Sequence, residues 1–580
     1  MPNTYCNPLN LPYKFQIFRK TPFGNSINRE AADPSVVRFK GLYFLFPSMS
    51  GGFWTSSDLH EWLFHETPEL PIYDYAPDVK EIDGMLYFCA SRRGENCPIL
   101  KTTDPLNGKF EEVSRPFDFW DPDLFQDDDG KVYLYWGCSN QTPIWGVEMD
   151  RQTMLPIMER VELIHDGHIE HGWERIGNDN DNKKTETLMS KNFARMSGYR
   201  PFIEGPWMTK HNGRYYLQYA APGTEYNTYA DGVYISDHPL GPYVYAQNNP
   251  FCSKPGGFIN GAGHGSTFQD EYGNFWHIAT MRISHNHIFE RRIGLFPAGF
   301  DADGEFFCNT NFADYPTILP QNKIDPWKDT FAGWMLLSYQ KPVRGSSSLG
   351  RYSPKYVVDE DIRTHWAAAS KKPGEFITLD LEEVCTVNAV QINFADHKIK
   401  THDLQGNDFH SSIGIQRHIE TNATRTRFLL EGSSDGIFWQ ILEDKRQAET
   451  DLPHDYLVFE PPIRLRFLRL TGFEMPYGSR FAVSGLRVFG KGNGALPMPV
   501  RARCERLGGL DALITWTHSA GDTGYNVRYG HAPDKLYHSW LVYGQTELHL
   551  GTLNDGQEYW VAVDAFNENG IVEGEVVKIA

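Results

Sequence analysis

Hydrophobic positions along the chain almost never recur at the helical interval. Short aromatic and β-branched runs alternate with polar residues and stop at Gly, Pro, Asn and Asp, which predicts an all-β protein. Five stretches in the first 320 residues share one grammar of a polar residue, a short apolar strand, a Gly-containing turn and an aromatic strand. They are "ADPSVVRFKGLYFLFPS" at Asp33, "APDVKEIDGMLYFCAS" at Asp78, "DPDLFQDDDGKVYLYWG" at Asp121, "EGPWMTKHNGRYYLQYAA" at Glu204 and "HGSTFQDEYGNFWHIAT" at His264. The turn glycines are Gly41, Gly84, Gly130, Gly213 and Gly273, each followed by aromatics in the manner of a hairpin. The spacing suits units of roughly 40 to 50 residues with insertions, so residues 1–325 are predicted to form a five-bladed β-propeller. The segment "HDGHIEHGWERIGNDNDNKKTETLMSKN" lies in the longest gap and reads as a solvated loop beside the cleft between blades three and four. "DDDG" at Asp127 to Gly130 reads as a hairpin turn.

In such a ring the inner strands start at the same end of a central channel, so Asp33, Asp78, Asp121, Glu204 and His264 should converge there. Several carboxylates and a His at a channel mouth suit glycoside hydrolysis, which needs one protonated carboxyl for the leaving oxygen and one ionised partner. Glu204 stands among Pro, Phe, Ile, Gly, Pro and Trp, an environment suited to a carboxyl that must arrive protonated. Asp33 is the candidate ionised partner. Asp121 is the candidate for orienting Glu204 and keeping its proton through like-charge repulsion.

These motifs resemble glycoside hydrolase family 43 across residues 5 to 320. The resemblance implies a five-bladed propeller and an inverting mechanism, with "ADPS" carrying general base Asp33, "DPDLF" the pKa-modulating Asp121 and "EGPW" general acid Glu204. It also implies that "YAPDV" forms a pocket wall in which Tyr75 takes the place of a Trp and Asp78 contacts substrate hydroxyls. "GAGHGS" resembles the segment whose His lies over the channel, in some members within a hydrated calcium site, which marks His264 for substrate or calcium. "ERRIGLF" resembles a substrate-clamping stretch and marks Arg291. No cofactor is required on this reading, and a structural Ca²⁺ in the channel is the one metal expected.

Composition adds limits. Aromatic residues make up 14% of the 580, and the formal net charge is −19. Acidic residues are scattered, so neither nucleic acid nor an anionic membrane is an expected partner, and a neutral carbohydrate is. Oligomeric state is left open. Eight separated cysteines without a C-x-x-C pair read as mostly free, buried thiols. No apolar run is long enough for a membrane helix. "MPNTYCNPLNLPYKFQ" lacks the features of a signal peptide; the expected location is extracytoplasmic, periplasmic or secreted, with cytoplasmic as the alternative.

After "YPTILPQNK" the grammar changes. Residues 330–492, with "DIRTHW", "LEGSSDG" and "SGLRVFG", resemble a discoidin (factor 5/8 C-type) β-sandwich. That fold implies either sugar binding or a brace against the propeller. Residues 497–580 resemble a fibronectin type III sandwich, after the linker "GKGNGALPMP". The chain therefore reads as an inverting glycosidase that releases a terminal neutral sugar from plant polysaccharide or oligosaccharide. The resemblance implies α-L-arabinofuranosidase or β-D-xylosidase activity; exo-β-1,3-galactanase, endo-arabinanase and a non-catalytic carbohydrate-binding propeller are the alternatives.

Overall fold

The computed structural model describes residues 3–580 apart from 22–23, 68–69, 71–72, 93, 185–190, 192–194, 196–197, 401–405, 411–415 and 421. Five antiparallel sheets follow one another in sequence, opening with the inner strands Ala32–Phe39, Asp78–Ile82, Asp123–Gln126, Ile203–His211 and Asn260–Gln269. They are the blades of a propeller. Blade four also takes in Cys138–Ser139, a short strand that leaves blade three to pair with Ile203–Glu204. Asn-Gly and related turns close the inner hairpins, and Gly41, Gly84, Gly130, Gly213 and Gly273 all have the positive φ such turns require. Apolar clusters fill the gaps between blades, for example Phe44, Phe46, Phe53, Val79, Leu86 and Phe88 between the first and second.

Each inner strand is kinked at one end. Asp33, Ala76, Asp121, Gly205 and His264 have φ of 47°, 51°, 50°, 59° and 48°. Register shifts accompany the kink where it falls inside a strand, between Ala32 and Ser35, Glu204 and Trp207, and Gly263 and Ser266. Such bulges turn a side chain out of the pleat and toward the rim. Two residues further on, each strand reaches sideways to the next blade. Ser35 Oγ accepts from the Val79 amide at 3.0 Å, and Asp78 Oδ2 from Leu124 at 2.7 Å. Asp123 Oδ2 accepts from Met208 at 2.8 Å, and Ser266 Oγ from Val36 at 3.2 Å. Trp207 Nε1 donates to the Thr267 carbonyl at 3.1 Å and closes the set.

This ring corrects one expectation. The equivalent of Asp33 in blade two is Ala76, and Asp78 lies two residues deeper, buried and bonded to Ser35 and Leu124. It joins blades one, two and three instead of facing the mouth with the other acids. Beside it the Lys80 ammonium lies 3.8 Å from Asp78 Oδ1, 2.7 Å from Asp123 Oδ1 and over the Trp207 ring, so one positive charge is shared between these struts.

Two β-sandwiches follow. In the first, the strands Glu375–Phe394 and His454–Glu474 run through one bent sheet around a core that includes Trp366, Leu379, Val390, Leu468 and Val488. In the second, a sheet of Ala502–Arg506, Ala512–Trp516 and Glu547–Leu550 faces one built on Gly524–Gly530 and Trp560–Asn567. Neither hangs on a loose tether. Phe312 and Tyr315 of the propeller, Phe489 of the first sandwich and Leu541 and Phe566 of the second share one core.

The insertion after blade three is also a correction. It is a strap to the last sandwich: Gly172 donates to the Leu553 carbonyl, Arg175 pairs with Asp511 at 2.7 Å, and His171 stacks on Tyr245. His168 bonds Asp166 at 2.6 Å, and among the described residues its histidines form no metal cluster. No helix among the described residues is long and apolar enough to cross a membrane. All eight cysteines are free.

Candidate active site

The kinked rim residues build the site. Asp33 is held on every side: its amide donates to Thr280 Oγ1 at 2.8 Å, Ser48 Oγ donates to Oδ2 at 2.8 Å, and Arg291 reaches both oxygens at 3.0 and 3.3 Å. The same guanidinium bonds Glu30 Oε1 at 2.9 and 2.5 Å. Arg291 is thus a buried bridge between Glu30 and Asp33, with its donors directed at protein carboxylates, and its place is behind Asp33 and not over a substrate. Fixed in a bidentate ion pair, Asp33 keeps one orientation.

Glu204 enters from blade four. Gly205 follows it with φ +59°, and a Cβ there would lie 2.6 Å from His264 Cδ2, so only glycine lets the two rim residues approach. Tyr229 donates its hydroxyl to Glu204 Oε1, and Cys138 Sγ lies 3.2 Å from Oε2. Burial pushes the Cys138 thiol well above its ordinary value, and Asp121 and Glu204 add to this, so the group is a neutral S–H donor. Tyr229 and Cys138 carry no sequence motif. Cys138 could have been found only through its strand pairing with Glu204.

Asp121 lies against this pair: ligand-type atoms of Asp121, Cys138 and Glu204 fall within 4.8 Å of one another. Burial raises the Asp121 carboxyl to about 7, Glu204 and Asp33 add to the rise, and His264 and the Cys138 hydrogen bond oppose it. His264 Nδ1 stands 3.6 Å from Asp33 Oδ1 and 3.7 Å from Asp121 Oδ2. Burial alone would depress the imidazole, but Asp33, Asp121 and Glu204 raise it above its ordinary value. His264 is therefore a cation-capable wedge between acids. Its backbone amide and that of Gly265 are fixed by Asp231, which also bonds His277 at 2.9 Å.

The expected calcium fits this donor set poorly. Calcium takes six to eight oxygens, whereas the residues gathered here present an imidazole nitrogen 3.6 and 3.7 Å from two carboxylates and a neutral thiol beside Asp121 and Glu204. Tyr75 does line the site. Its ring faces Arg291 at 5.4 Å, and its buried hydroxyl has no hydrogen-bond partner among the described residues.

Asp33, Asp121, Glu204, His264 and Tyr75 are thus gathered at one rim, Arg291 supports them from behind, and Asp78 sits below as a strut. Against known proteins, residues 23–306 match the family described as Glycosyl hydrolases family 43. Similar curated proteins include the beta-D-galactofuranosidase xynD of Aspergillus niger, 23% identical over 45% of this chain and 77% of that protein. Another is a xylosidase/arabinosidase of Bacteroides ovatus, 22% identical over 37% and 76%. Among solved structures, a glycoside hydrolase aligns with a TM-score of 0.45 at 18% identity, covering 79% of this chain and 97% of its own. A thermostable family-43 glycoside hydrolase aligns at 0.40 and 20%, covering 56% and 99%. Residues 23–306 are a glycosyl hydrolase family 43 domain, and the chain is accordingly a glycoside hydrolase of the inverting class.

Proposed function

We propose that this site removes a terminal neutral sugar from plant polysaccharide or oligosaccharide in a single displacement, as an α-L-arabinofuranosidase or β-D-xylosidase. The observation that carries the reading is the meeting of Asp33, Asp121 and Glu204 around His264, each acid with a different set of partners. Asp33, locked by Arg291 and Ser48, activates water on one face of the sugar. Glu204, oriented by Tyr229 and Cys138, gives its proton to the leaving oxygen. Asp121, proton-bearing near neutrality, is the neighbour that supports Glu204 in that role. Relatives support the substrate class: besides the xylosidase/arabinosidase, an extracellular exo-alpha-(1->5)-L-arabinofuranosidase of Streptomyces chartreusis is 24% identical over 38% of this chain and 68% of its own. That relative is extracellular, which supports action outside the cytoplasm.

The test is a panel of aryl glycosides of arabinofuranose, xylose and galactose with wild type, Glu204→Gln and Asp33→Asn. Loss of about 10²–10⁴-fold in kcat with retained sugar binding is expected for each variant. Proton NMR of the first product should show the inverted anomer, and wild-type turnover in either variant would overturn the roles.

A further inference from the structure

The hairpin of strands Phe15–Thr21 and Gly24–Arg29, which leads into blade one, does not pair with a blade. Its partner is a hairpin of the first sandwich, Gly406–His410 and Gln416–Glu420, which together with it makes one four-stranded sheet. The register sets Phe18 opposite Arg417 and Gln16 opposite Ile419. The junction is anchored by buried charge: Arg29 bonds Asp396 at 2.9 Å and Asp451 at 2.7 Å, and Arg292 bonds His454 at 2.7 Å. At the rim, any side chain added at Gly51 would meet Ile419 Cγ2 at 3.4 Å. The sandwich hairpin therefore stands against the blade-one turn just beyond Ser48, the residue that holds Asp33.

Arg417 is the residue this arrangement delivers. It is 5% exposed, its guanidinium lies 4.3 Å over Tyr75 and 4.6 Å over Phe18, and its one hydrogen bond among the described residues is to the Met49 thioether at 3.2 Å. A thioether is a weak acceptor for a group with five donors. Burial penalises the charge, which Glu30, Asp74 and Asp33 offset from nearby. On the same wall, the Tyr75 hydroxyl and Glu30 Oε2 are buried without hydrogen-bond partners among the described residues. A cation bonded to a thioether, with a hydroxyl and a carboxylate oxygen that lack partners among the described residues, makes beside Asp33 a receptor for vicinal hydroxyl groups.

We infer that the pocket for the terminal sugar is composite: the first sandwich closes it, and Arg417 donates to the hydroxyls of the sugar ring held at Asp33. The sandwich is thereby part of the active site, and the wall it raises favours chain-end over mid-chain cleavage. This rests on the hydrolase reading above and adds a specificity-determining residue from outside the propeller.

The experiment uses the full chain. Arg417→Ala should lower kcat/KM for the preferred aryl glycoside about 10- to 100-fold, chiefly through KM, and tens of millimolar guanidinium chloride should restore part of it while leaving wild type unimproved. Arg417→Lys, which keeps charge but not the fork, should fall between the two. Calorimetry with the free product sugar on Glu204→Gln, with and without Arg417→Lys, reads binding apart from chemistry, and also serves if the alanine variant does not fold. A folded Arg417→Ala protein within twofold of wild type would overturn the inference. So would a loss that guanidinium does not rescue and that product binding does not share. If Glu204→Gln and Asp33→Asn stay active, the catalytic roles fail whatever Arg417 does.

Discussion

One residue that bears on the proton inventory of the site without carrying charge is Cys138. A thiol is a weak donor, yet this one lies beside both carboxyls, Asp121 and Glu204, that serve the proton-donating half of the reaction. Its hydrogen bond lowers Asp121 against burial and like charge, which together set that carboxyl at about 7. Asp121 and His264, 3.7 Å apart, titrate as one coupled group. In the proposed cycle this group must hold a proton, so kcat/KM should fall as pH rises through about 7. Cys138→Ala removes a hydrogen bond that favours the ionised Asp121, so Asp121 holds its proton to higher pH. The alkaline limb should then move up by roughly half a unit, and Cys138→Ser, which retains a donor, should leave it near its wild-type place. A pH profile of kcat/KM between 5 and 9 checks this, and a downward shift in the alanine variant would contradict the arrangement.

At the scale of elements, the propeller closes through the residues two places beyond each kink. Asp123 is the most heavily used, since it accepts from Met208 and neutralises Lys80, whereas Ser266 accepts one amide. Asp123→Ala leaves the Met208 amide unpaired and the partly buried Lys80 ammonium with Asp78 alone, at 3.8 Å, and should cost about 3 kcal/mol. Ser266→Ala should cost about 1 kcal/mol. Denaturant midpoints compare the two, and equal losses would mean that the ring does not carry the load described. The same ring explains what the chain reveals on reading. Aromatic strands and turn glycines are local, so the blades were legible, and so were Asp33, Asp121 and Glu204, whose motifs sit at the kinks. Sequence reading places Asp78 two residues from its true level because the acid of "APDV" stands at the strut position, while Ala76 at the kink has no polar side chain to mark it; its φ of 51° is a property of the fold. Arg291 was found at the right place but faces Asp33 and Glu30 from behind. Tyr229, Cys138 and Arg417 reach the site through pairings between distant segments, which no local pattern encodes.

For the whole molecule, burial of ionisable groups predicts how stability follows pH. Burial raises Asp121, Asp123 and Asp359 to about 7 and Glu174 to about 8. Each binds a proton in the folded state that the unfolded chain has released above ~4, so each makes stability fall with rising pH until its folded value is passed. Burial acts oppositely on imidazoles, lowering His287 and His397 to about 4 and His365 and His538 to about 3. Unfolded imidazoles take up protons below ~6.5, so these four make stability rise with pH up to that point and add nothing above it. The two sets offset one another on the acid side, and above ~6.5 only the carboxyls remain. Stability should therefore be greatest near pH ~6 and decline by something on the order of 2–4 kcal/mol toward pH ~8.5. Glu174 carries the largest remaining share, since its folded value lies highest; it is a buried residue of the strap itself and accepts from Tyr219 and the Gly167 amide, both at 2.5 Å. Glu174→Gln, which keeps the shape and removes the titration, should flatten the alkaline decline measured by urea unfolding between pH 6 and 8.5. A midpoint that climbs steadily to pH 8.5 in wild type would show that these carboxyls are ionised in the folded protein.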